Sequence, residues 1–289
     1  MIILNADYAK QFKEQGFFVI ENFFNDVQIN DLYEYYQTFK FEQKPELNTN
    51  IKFCSKEDNI SISNFIKTKF EQPIANYFDD YQLGGGVFIL KGSGQESVSS
   101  LHQDCNVVDE SKYVSLTIWC PFIDVDETNG CLQVLPGSHK WFSVIRSFNI
   151  PSYFIDFELV SDKLKALPIN KGSVVVFAHN LFHGSKPNYS NNFRPVASFS
   201  LISKKAQPIH YILNGEKIQV CLADEDFYFN KAQSLFLGST NLELKILDEF
   251  DLKEGHILKK EAVLKVLNNK PSLLAKLKQF FIITFLKPK

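Results

Sequence analysis

The chain has 289 residues, 45% of them hydrophobic, which is ample for a buried core yet short of two comfortable domains. Lys and Arg total 31 against 33 for Asp and Glu, so the formal net charge of -2 predicts no broad basic surface and argues against a nucleic-acid partner. The five cysteines are odd in number, scattered and never arranged as C-x-x-C, which argues against a disulfide framework and a structural zinc site and indicates reduced thiols.

Neither end of the sequence carries a long apolar stretch. Residues 1–4 are too few to form the apolar core of a signal peptide. Residues 280–286, which include Thr284, fall far below the roughly 20 residues that a membrane-spanning helix requires. We therefore expect a soluble protein without a transmembrane segment, and the reduced thiols indicate a location in the cytoplasm.

The N-terminal third, residues 1–83, is predicted to be mainly helical. Asn5 can cap a helix over ADYAKQFKEQ, and Gly16, which is free to adopt positive φ, suits its end. The elements expected next are an aromatic and β-branched strand (17–20), a helix starting near Asn25 or Asp26, a loop (41–59) and a further helical stretch (61–78).

Residues 84–223 have a different character, with short β-rich runs separated by Gly, Pro, Asn and Asp. This punctuation predicts a sandwich or barrel, here a double-stranded β-helix of the jelly-roll, cupin-like class. The GGG at 84–86 suits a flexible strand entry better than a phosphate-binding loop, because no G-K-[ST] follows. The predicted strands cover residues 87–91, 98–103, 113–123, 131–135, 173–178 and 195–203.

After residue 223 the segments lengthen and resemble helices, so residues 224–289 are predicted to be a mainly helical extension of a single mainly β domain with flanking helices. From Pro271 on, an apolar helical face has lysines around it. Such a face suits contact with a membrane surface or a partner, or packing against the barrel or across a homodimer. The apolar residues are Leu273, Leu274, Leu277, Phe280 and Phe281, and the lysines are Lys270, Lys276, Lys278 and Lys287.

Two candidate metal ligands stand in the sequence SLHQDCN. His102 and Asp104 are two residues apart, and in an extended chain this spacing sends both side chains to the same face. A third ligand would come from VVVFAHNLFHGSKPNYSNNFR, which offers His179 and His183 just past a predicted strand. Two histidines and one carboxylate leave positions open for a bidentate cosubstrate and O2, which suits iron(II). Alone, an H-x-D pair is a weak signal, because a histidine is more often a hydrogen-bonded core or surface residue.

An arginine shifts the balance between these interpretations. Arg194 lies 11 residues after His183, at the start of the apolar strand RPVASFSLIS. An arginine in such surroundings requires an anion, and its planar fork suits bidentate pairing with a carboxylate. The distal carboxylate of 2-oxoglutarate is the natural candidate.

Four segments resemble landmarks of the phytanoyl-CoA dioxygenase family and occur in the family's order. The resemblance covers residues 8–205 and implies a dioxygenase that uses iron(II), 2-oxoglutarate and O2. Such an enzyme would hydroxylate an aliphatic carbon of a small-molecule metabolite, with release of succinate and CO2. The segments are FKEQGFFVIENFF (12–24), LHQD (101–104), NGCLQVLPGSHKW (129–141) and GSVVVFAHNLFHGSKPNYSNNFR (172–194).

The resemblance also implies which residues hold the metal and the cosubstrate. His102, Asp104 and His183 would bind iron, and Arg194 would bind the outer carboxylate of 2-oxoglutarate. The competing ligand His179 has the wrong spacing to Arg194 for the family. The choice between the two histidines therefore depends on the distance to the arginine.

Three further residues correspond to positions that the family uses around the cosubstrate, namely Gln103, Trp119 and Ser185. Trp119 suits the core of a barrel equally well, and Ser185 could be an ordinary loop cap. His139 lies in the PGSHKW turn, which in the family closes a loop near the site without binding iron.

Two other classes of function are compatible with parts of this pattern. A binding or sensing protein would keep the metal without turnover, but it would usually have lost one member of the triad or Arg194. A cupin-type metalloenzyme would act without O2, and it would not need an arginine for 2-oxoglutarate. The substrate is expected to be a small organic molecule, and the segment WFSVIRSFNIPSYFIDF (141–157) suits a lid over an apolar substrate or an ordinary packing segment.

Overall fold

The computed structural model describes residues 1–39, 44–151, 153–236 and 242–268. The predictions for the amphipathic tail from Pro271 on lie outside the described residues. Within the described ranges, no helix combines the length and the apolar character needed to cross a membrane.

The helices lie near the two ends of the described chain, and the strands occupy its middle. The helices are α1 (Ala6–Gln15), α2 (Asp26–Thr38), α3 (Lys56–Ala75), α4 (Ala232–Phe236) and α5 (Lys260–Asn268), with a π-helical turn (Phe227–Lys231) leading into α4. The strands are β1 (Ile2–Ile3), β2 (Phe17–Ile20), β3 (Leu47–Thr49), β4 (Phe78–Asp79), β5 (Tyr81–Lys91), β6 (Ser99–His102), β7 (Ser115–Pro121), β8 (Leu132–Val134), β9 (Lys165–Leu167), β10 (Val174–Ala178), β11 (His183–Ser185), β12 (Arg194–Ser203), β13 (Ile209–Asn214), β14 (Lys217–Leu222) and β15 (Ile246–Asp251).

Local sequence signals set the ends of the first helices. The Asn5 side chain accepts hydrogen bonds from the backbone at the start of α1, and Gly16 ends the helix with a φ of 85°. Helix α3 begins at Lys56, capped by Ser55, and therefore starts earlier than the predicted stretch from residue 61. The predicted loop before it contains the short strand β3, which pairs with β5.

The strands β5 to β12, together with β2 and β3, form two antiparallel sheets with jelly-roll connectivity. The larger sheet has the order β2-β10-β7-β12-β5-β3, and the smaller has the order β6-β11-β8-β9. From β5 to β12 each strand lies in the other sheet from the one before it, except β9, which follows β8 in the smaller sheet. The predicted jelly-roll class of the core is confirmed, and the strand ends that carry His102, His183 and Arg194 come from both sheets.

The larger sheet is apolar on both faces because it separates two hydrophobic cores. In β10, Val175 and Phe177 pack between the sheets, whereas Val174 and Val176 pack in the core that contains α2 and α3. This alternation follows from the period of two in a strand. The helical residues in that second core include Ile29, Leu32, Ile62, Ile66 and Phe70.

A separate three-stranded sheet follows the jelly roll, with the order β13-β14-β15. The prediction of mainly helical structure after residue 223 is wrong for β15, which pairs with β14. The sequence ILDEFD lacks a clear apolar alternation, so its strand conformation depends on the edge that β14 offers. One charged contact across this edge joins Lys217 Nζ to Glu249 Oε1 at 2.6 Å.

All five cysteines carry free thiols, and three of them, Cys120, Cys131 and Cys221, are buried. Burial raises the pKa of the Cys131 thiol to about 11, so the sulfur stays protonated at neutral pH. The reduced state of these thiols in the cell stays a prediction.

Candidate metal and cosubstrate site

The pairing of β6 with β11 brings two histidines face to face. His102 ends β6, His183 begins β11, and the two are direct cross-strand partners with ring centroids 4.4 Å apart. The next residue, Gly184, lies so close to β6 that a Cβ there would be 2.5 Å from the Ser99 carbonyl oxygen. The close approach of the two strands, and hence of the two imidazoles, requires glycine at this position.

Asp104 completes a group of three possible metal ligands. Its Oδ1 lies 3.8 Å from His102 Nε2 and 3.5 Å from His183 Nε2. Its Oδ2 accepts a 2.8 Å hydrogen bond from the Thr117 hydroxyl. One ligand atom from each of the three residues lies within 4.8 Å of the others. One carboxylate oxygen is thus held by the protein, and the other faces both imidazoles.

The hydrogen bonds of the two imidazoles fix which nitrogen is available. His102 Nδ1 lies 2.7 Å from the Ser100 carbonyl oxygen, and His183 Nδ1 lies 2.9 Å from that of Leu181. A carbonyl oxygen only accepts, so each Nδ1 donates and each Nε2 keeps its lone pair free. Histidine ligands of metals are commonly held in this way, with the nitrogen that does not bind the metal donating to a carbonyl oxygen.

The charges of the group also suit a divalent cation. Burial lowers the pKa of His183 to about 4, so the ring is neutral at pH 7. Burial alone would raise the pKa of Asp104, but the three neighbouring histidines and the Thr117 hydroxyl lower it to about 2. Two imidazoles and one carboxylate, with open positions around them, fit iron(II).

The histidines that compete with these ligands do not belong to the group. His179 is buried and its carbonyl oxygen accepts a 2.8 Å hydrogen bond from the Asp104 amide, but its ring does not belong to the group of ligand atoms within 4.8 Å found in the described residues. His139 packs its ring 6.2 Å from that of Phe12. His210 is buried between Phe148 and Phe227.

Arg194 lies at the start of β12 with its guanidinium buried. The Cζ atom is 5.0 Å from the centroid of the Trp119 ring, and burial lowers the pKa of Arg194 to about 9. Its Nε and Nη1 have no hydrogen-bond partner within the described part of the chain. Buried donors without partners are costly, and a planar guanidinium in this state suits a carboxylate ligand.

Sequence reasoning missed a second buried cation, Lys91. It is the cross-strand partner of Arg194 and is fully buried. Its Nζ donates to the Ser97 carbonyl oxygen at 2.5 Å and to the Ser185 hydroxyl at 2.8 Å. Burial, followed by the charge of Arg194, lowers its pKa to about 7. Lys91 and Arg194 thus form a buried pair of cationic side chains that suits an anionic ligand.

Of the three residues assigned around the cosubstrate, Trp119 and Ser185 contact this pair of cations. Gln103 is placed differently, because its Nε2 donates to the Asn180 carbonyl oxygen at 2.5 Å. Its Oε1 is buried without a partner in the described residues. Gln103 is thus tied to the turn between β10 and β11.

Comparison with known proteins identifies the family. The model of the phytanoyl-CoA dioxygenase family matches residues 12–196. The chain belongs to the phytanoyl-CoA dioxygenase family. A phytanoyl-CoA dioxygenase domain-containing protein 1 homolog of Dictyostelium discoideum is 31% identical over 122 residues, which are 39% of this chain and 43% of that protein. The peroxisomal phytanoyl-CoA dioxygenase of Bos taurus is 24% identical over 233 residues, which are 68% of each chain. The match to the Dictyostelium protein thus spans less than half of its length.

Solved structures share the fold at low sequence identity. EvdO2 from Micromonospora carbonacea var. aurantiaca, complexed with 2-oxoglutarate, has a TM-score of 0.54 and 16% identity, covering 74% of this chain and 96% of its own. HygX from Streptomyces hygroscopicus, with nickel, 2-oxoglutarate and hygromycin B bound, has a TM-score of 0.51 and 14% identity, covering 70% of this chain and 88% of its own. These structures show the fold, and the match of the family model confirms the family predicted from the sequence.

Proposed function

We propose that this chain is an iron(II)- and 2-oxoglutarate-dependent dioxygenase that hydroxylates an aliphatic carbon of a small-molecule metabolite. His102, Asp104 and His183 would hold the iron, and Arg194, with Lys91, would hold the outer carboxylate of 2-oxoglutarate. Family membership and the 2-oxoglutarate bound to EvdO2 and HygX support this assignment.

The observation that carries the proposal concerns strands β7 and β11. Each of them contributes one residue that belongs to the metal group or bonds to it, and one residue that contacts the Lys91 and Arg194 pair. In β11, His183 belongs to the metal group, and Ser185 bonds to Lys91. In β7, Thr117 holds Asp104, and Trp119 contacts Arg194. Residues two apart in a strand share a face and are separated by about 7 Å. That separation suits a five-carbon dicarboxylate with one end at the metal and the other at the two cations.

Each residue would have a limited task in the reaction. Iron with 2-oxoglutarate and O2 supplies the oxidising chemistry, with release of succinate and CO2. The carbonyl oxygens that bind the two Nδ1 atoms keep the imidazoles oriented, and Thr117 leaves Asp104 Oδ1 facing them. Arg194 and Lys91 would orient the cosubstrate, because their donors are fixed before it arrives.

An exposed aromatic ring beside the metal group supports an apolar substrate. Ile155 forms an isolated bridge with Leu101, and this pairing places Phe154 next to His102, with ring centroids 6.3 Å apart. Phe154 is 53% exposed, although a ring of this size is usually buried. An aliphatic part of the substrate would cover the ring.

We also propose that the chain acts in the cytoplasm, which its free thiols support. The bovine relative is named as a peroxisomal protein. Fluorescence microscopy of the tagged full-length protein tests this location, and a signal confined to organelles would contradict it. Homodimer formation and membrane contact were expected mainly from the tail, which lies outside the described residues.

The test of the function begins without O2. Iron(II) and 2-oxoglutarate added anaerobically to the purified protein should produce a weak visible charge-transfer band, and admission of O2 should release succinate. Arg194→Ala should abolish both signals at low cosubstrate concentration. Folded wild-type protein that binds iron but shows neither the band nor succinate would contradict the proposal and favour a metal-dependent activity without 2-oxoglutarate.

A further inference from the structure

Arg146 is a buried cation outside the metal group and outside the Lys91 and Arg194 pair. Its side chain is 3% exposed and pairs through Nη2 with the Glu110 carboxylate. Nη1 donates to the Val144 carbonyl oxygen at 3.0 Å, and Nε donates to the Asp104 carbonyl oxygen at 2.6 Å. One guanidinium thus joins the segment around residue 146 to the main chain of a candidate metal ligand.

The main chain around Asp104 is held on both sides. Its amide donates to the His179 carbonyl oxygen at 2.8 Å, and its own carbonyl oxygen accepts from Arg146. Two further bonds join Arg146 and Asn106, one from the Arg146 amide to Asn106 Oδ1 at 2.7 Å and one from the Asn106 amide to the Arg146 carbonyl oxygen at 3.1 Å. Loss of the guanidinium would free the peptide that follows Asp104 to rotate and would shift its carboxylate.

The segment that carries Arg146 is anchored on the other side by the C-terminal sheet. Asn149 Nδ2 donates to the Leu213 carbonyl oxygen at 2.8 Å, and the Leu213 amide donates to Asn149 Oδ1 at 3.0 Å. The Ser147 hydroxyl also donates to the Tyr211 carbonyl oxygen. Leu213 and Tyr211 lie in β13, beyond residue 196 where the family match ends.

We propose that Arg146 is a positioning residue for Asp104 and that it couples metal binding to the C-terminal sheet through the segment 144–149. The inference rests on the proposed function because it requires the metal site. It does not require that the bound metal supports catalysis. The segment is bonded to β13 on one side and to Asp104 on the other, so a change at either contact reaches the other through a short run of backbone. The C-terminal sheet thereby contributes to the affinity of a site that it does not touch.

Titration of the metal-free full chain with Co(II) tests this without any catalytic activity. The visible d–d bands of bound Co(II) report both its affinity and its ligand geometry. Arg146→Lys keeps the charge near Glu110 but cannot provide the separate Nε and Nη donors, so we expect the dissociation constant to rise at least about tenfold, with altered bands. Glu110→Gln leaves an acceptor for Arg146, so this single variant should keep Co(II) bands close to those of the wild-type protein.

Two further variants test the contact between Asn149 and β13 and provide its control. Asn149→Ala should raise the dissociation constant about threefold, since Asn149 is joined to Arg146 by a short run of backbone and Arg146 binds the Asp104 carbonyl oxygen. Lys217→Gln breaks an exposed ion pair within the same sheet and should leave the binding of Co(II) unchanged. Thermal unfolding of the metal-free variants, followed by circular dichroism, separates changes in fold stability from changes in metal affinity.

Wild-type affinity and bands in Arg146→Lys, even with a lower unfolding temperature, would overturn the proposal and leave Arg146 with a structural role alone. If Arg146→Lys does not fold, Asn149→Ala provides the test. An unchanged affinity of Asn149→Ala for Co(II) would overturn the coupling to the C-terminal sheet. Wild-type protein that binds Co(II) but never forms succinate would contradict the oxygenase function while leaving the positioning role intact. Failure of wild-type protein to bind Co(II) would overturn both.

Discussion

Lys91 and Arg194 lie directly opposite each other across β5 and β12, and both side chains are buried. Two cations so placed repel each other and are costly without an anion between them or beside them. Within the described residues, Lys91 hydrogen-bonds only to neutral oxygens, and Arg194 leaves two nitrogens without a partner. The pair is therefore prepared for a ligand that brings negative charge.

Replacement of Lys91 by methionine should weaken 2-oxoglutarate binding by about 10- to 100-fold, the range expected when one charge-assisted hydrogen bond of about 1.5–3 kcal/mol is lost. The measurement is the rise in unfolding temperature of the metal-loaded protein as 2-oxoglutarate is added. Lys186→Met is the matched control, because Lys186 is exposed and follows Ser185 directly. An equal rise in wild type and Lys91→Met would remove Lys91 from the cosubstrate site.

The same lysine predicts a pH dependence. Burial and the charge of Arg194 lower its pKa to about 7 from the ordinary 10.5, so between these values the unfolded chain binds more protons at this position than the ligand-free fold. Its contribution to the free energy of unfolding therefore increases with pH across that window and is constant below it. Affinity for 2-oxoglutarate should change in the opposite direction, falling as the ammonium loses its proton above pH 7. Isothermal titration on either side of pH 7 checks this, and an equally steep fall in Lys91→Met would contradict it.

Gly184→Ala should separate the two histidine strands. Its Cβ would lie 2.5 Å from the Ser99 carbonyl oxygen and 3.0 Å from that of Ser100, so β11 must move away from β6. We expect a loss of about 1–3 kcal/mol in stability, typical of overpacking, together with much weaker binding of Co(II). Gly255→Ala is the control, because a Cβ there meets nothing within 4 Å. Undisturbed Co(II) binding in Gly184→Ala would show that the close strand approach is not needed.

Thr117→Val should lower metal affinity by about tenfold or more, because the isosteric side chain cannot donate to Asp104 Oδ2. Thr117→Ser keeps the hydroxyl and serves as the control. Equilibrium dialysis against Fe(II) under anaerobic conditions gives the dissociation constants. If valine and serine behave alike, the hydroxyl does not orient the carboxylate.

Phe154→Ala should impair the use of an aliphatic substrate. The ring would be covered when the substrate binds, and burial of a phenylalanine contributes about 1.5–3 kcal/mol, so KM should rise by about 10- to 100-fold. Substrate-stimulated succinate release measures the effect on an aliphatic compound selected from a panel. Phe148→Ala is the matched control, since Phe148 is 44% exposed on the same segment but packs on His210. Equal effects of the two substitutions would argue against a substrate contact at Phe154.

The sequence features that predicted the fold are local ones. Asn5 and Gly16 bound α1 because capping depends on residues within one turn. The H-x-D spacing predicts that His102 and Asp104 share a face, and the structure places their ligand atoms together with that of His183. The roles of these three residues as ligands stay predictions until metal binding is measured.

Features that depend on pairing between distant strands were not visible in the sequence. Lys91 ends an apolar run, where a lysine usually reaches solvent, and only its register opposite Arg194 reveals that it is buried. Arg146 forms its ion pair with Glu110 only in the tertiary structure, and no local sequence pattern predicts this pair. The strand β15 has an acidic sequence that gives no alternation, and its conformation depends on the free edge of β14.

The strand order also has a consequence for folding of the protein during its synthesis on the ribosome. His102 and His183 meet only when β6 pairs with β11, and four strands of chain are synthesised between them. A nascent chain that ends before β11 therefore lacks His183 and with it the complete group of possible metal ligands, and contacts between strands so far apart in sequence form slowly. If these residues bind iron as proposed, the metal would be captured late in folding, and a metal-loaded molecule would be one in which β6 and β11 have already paired.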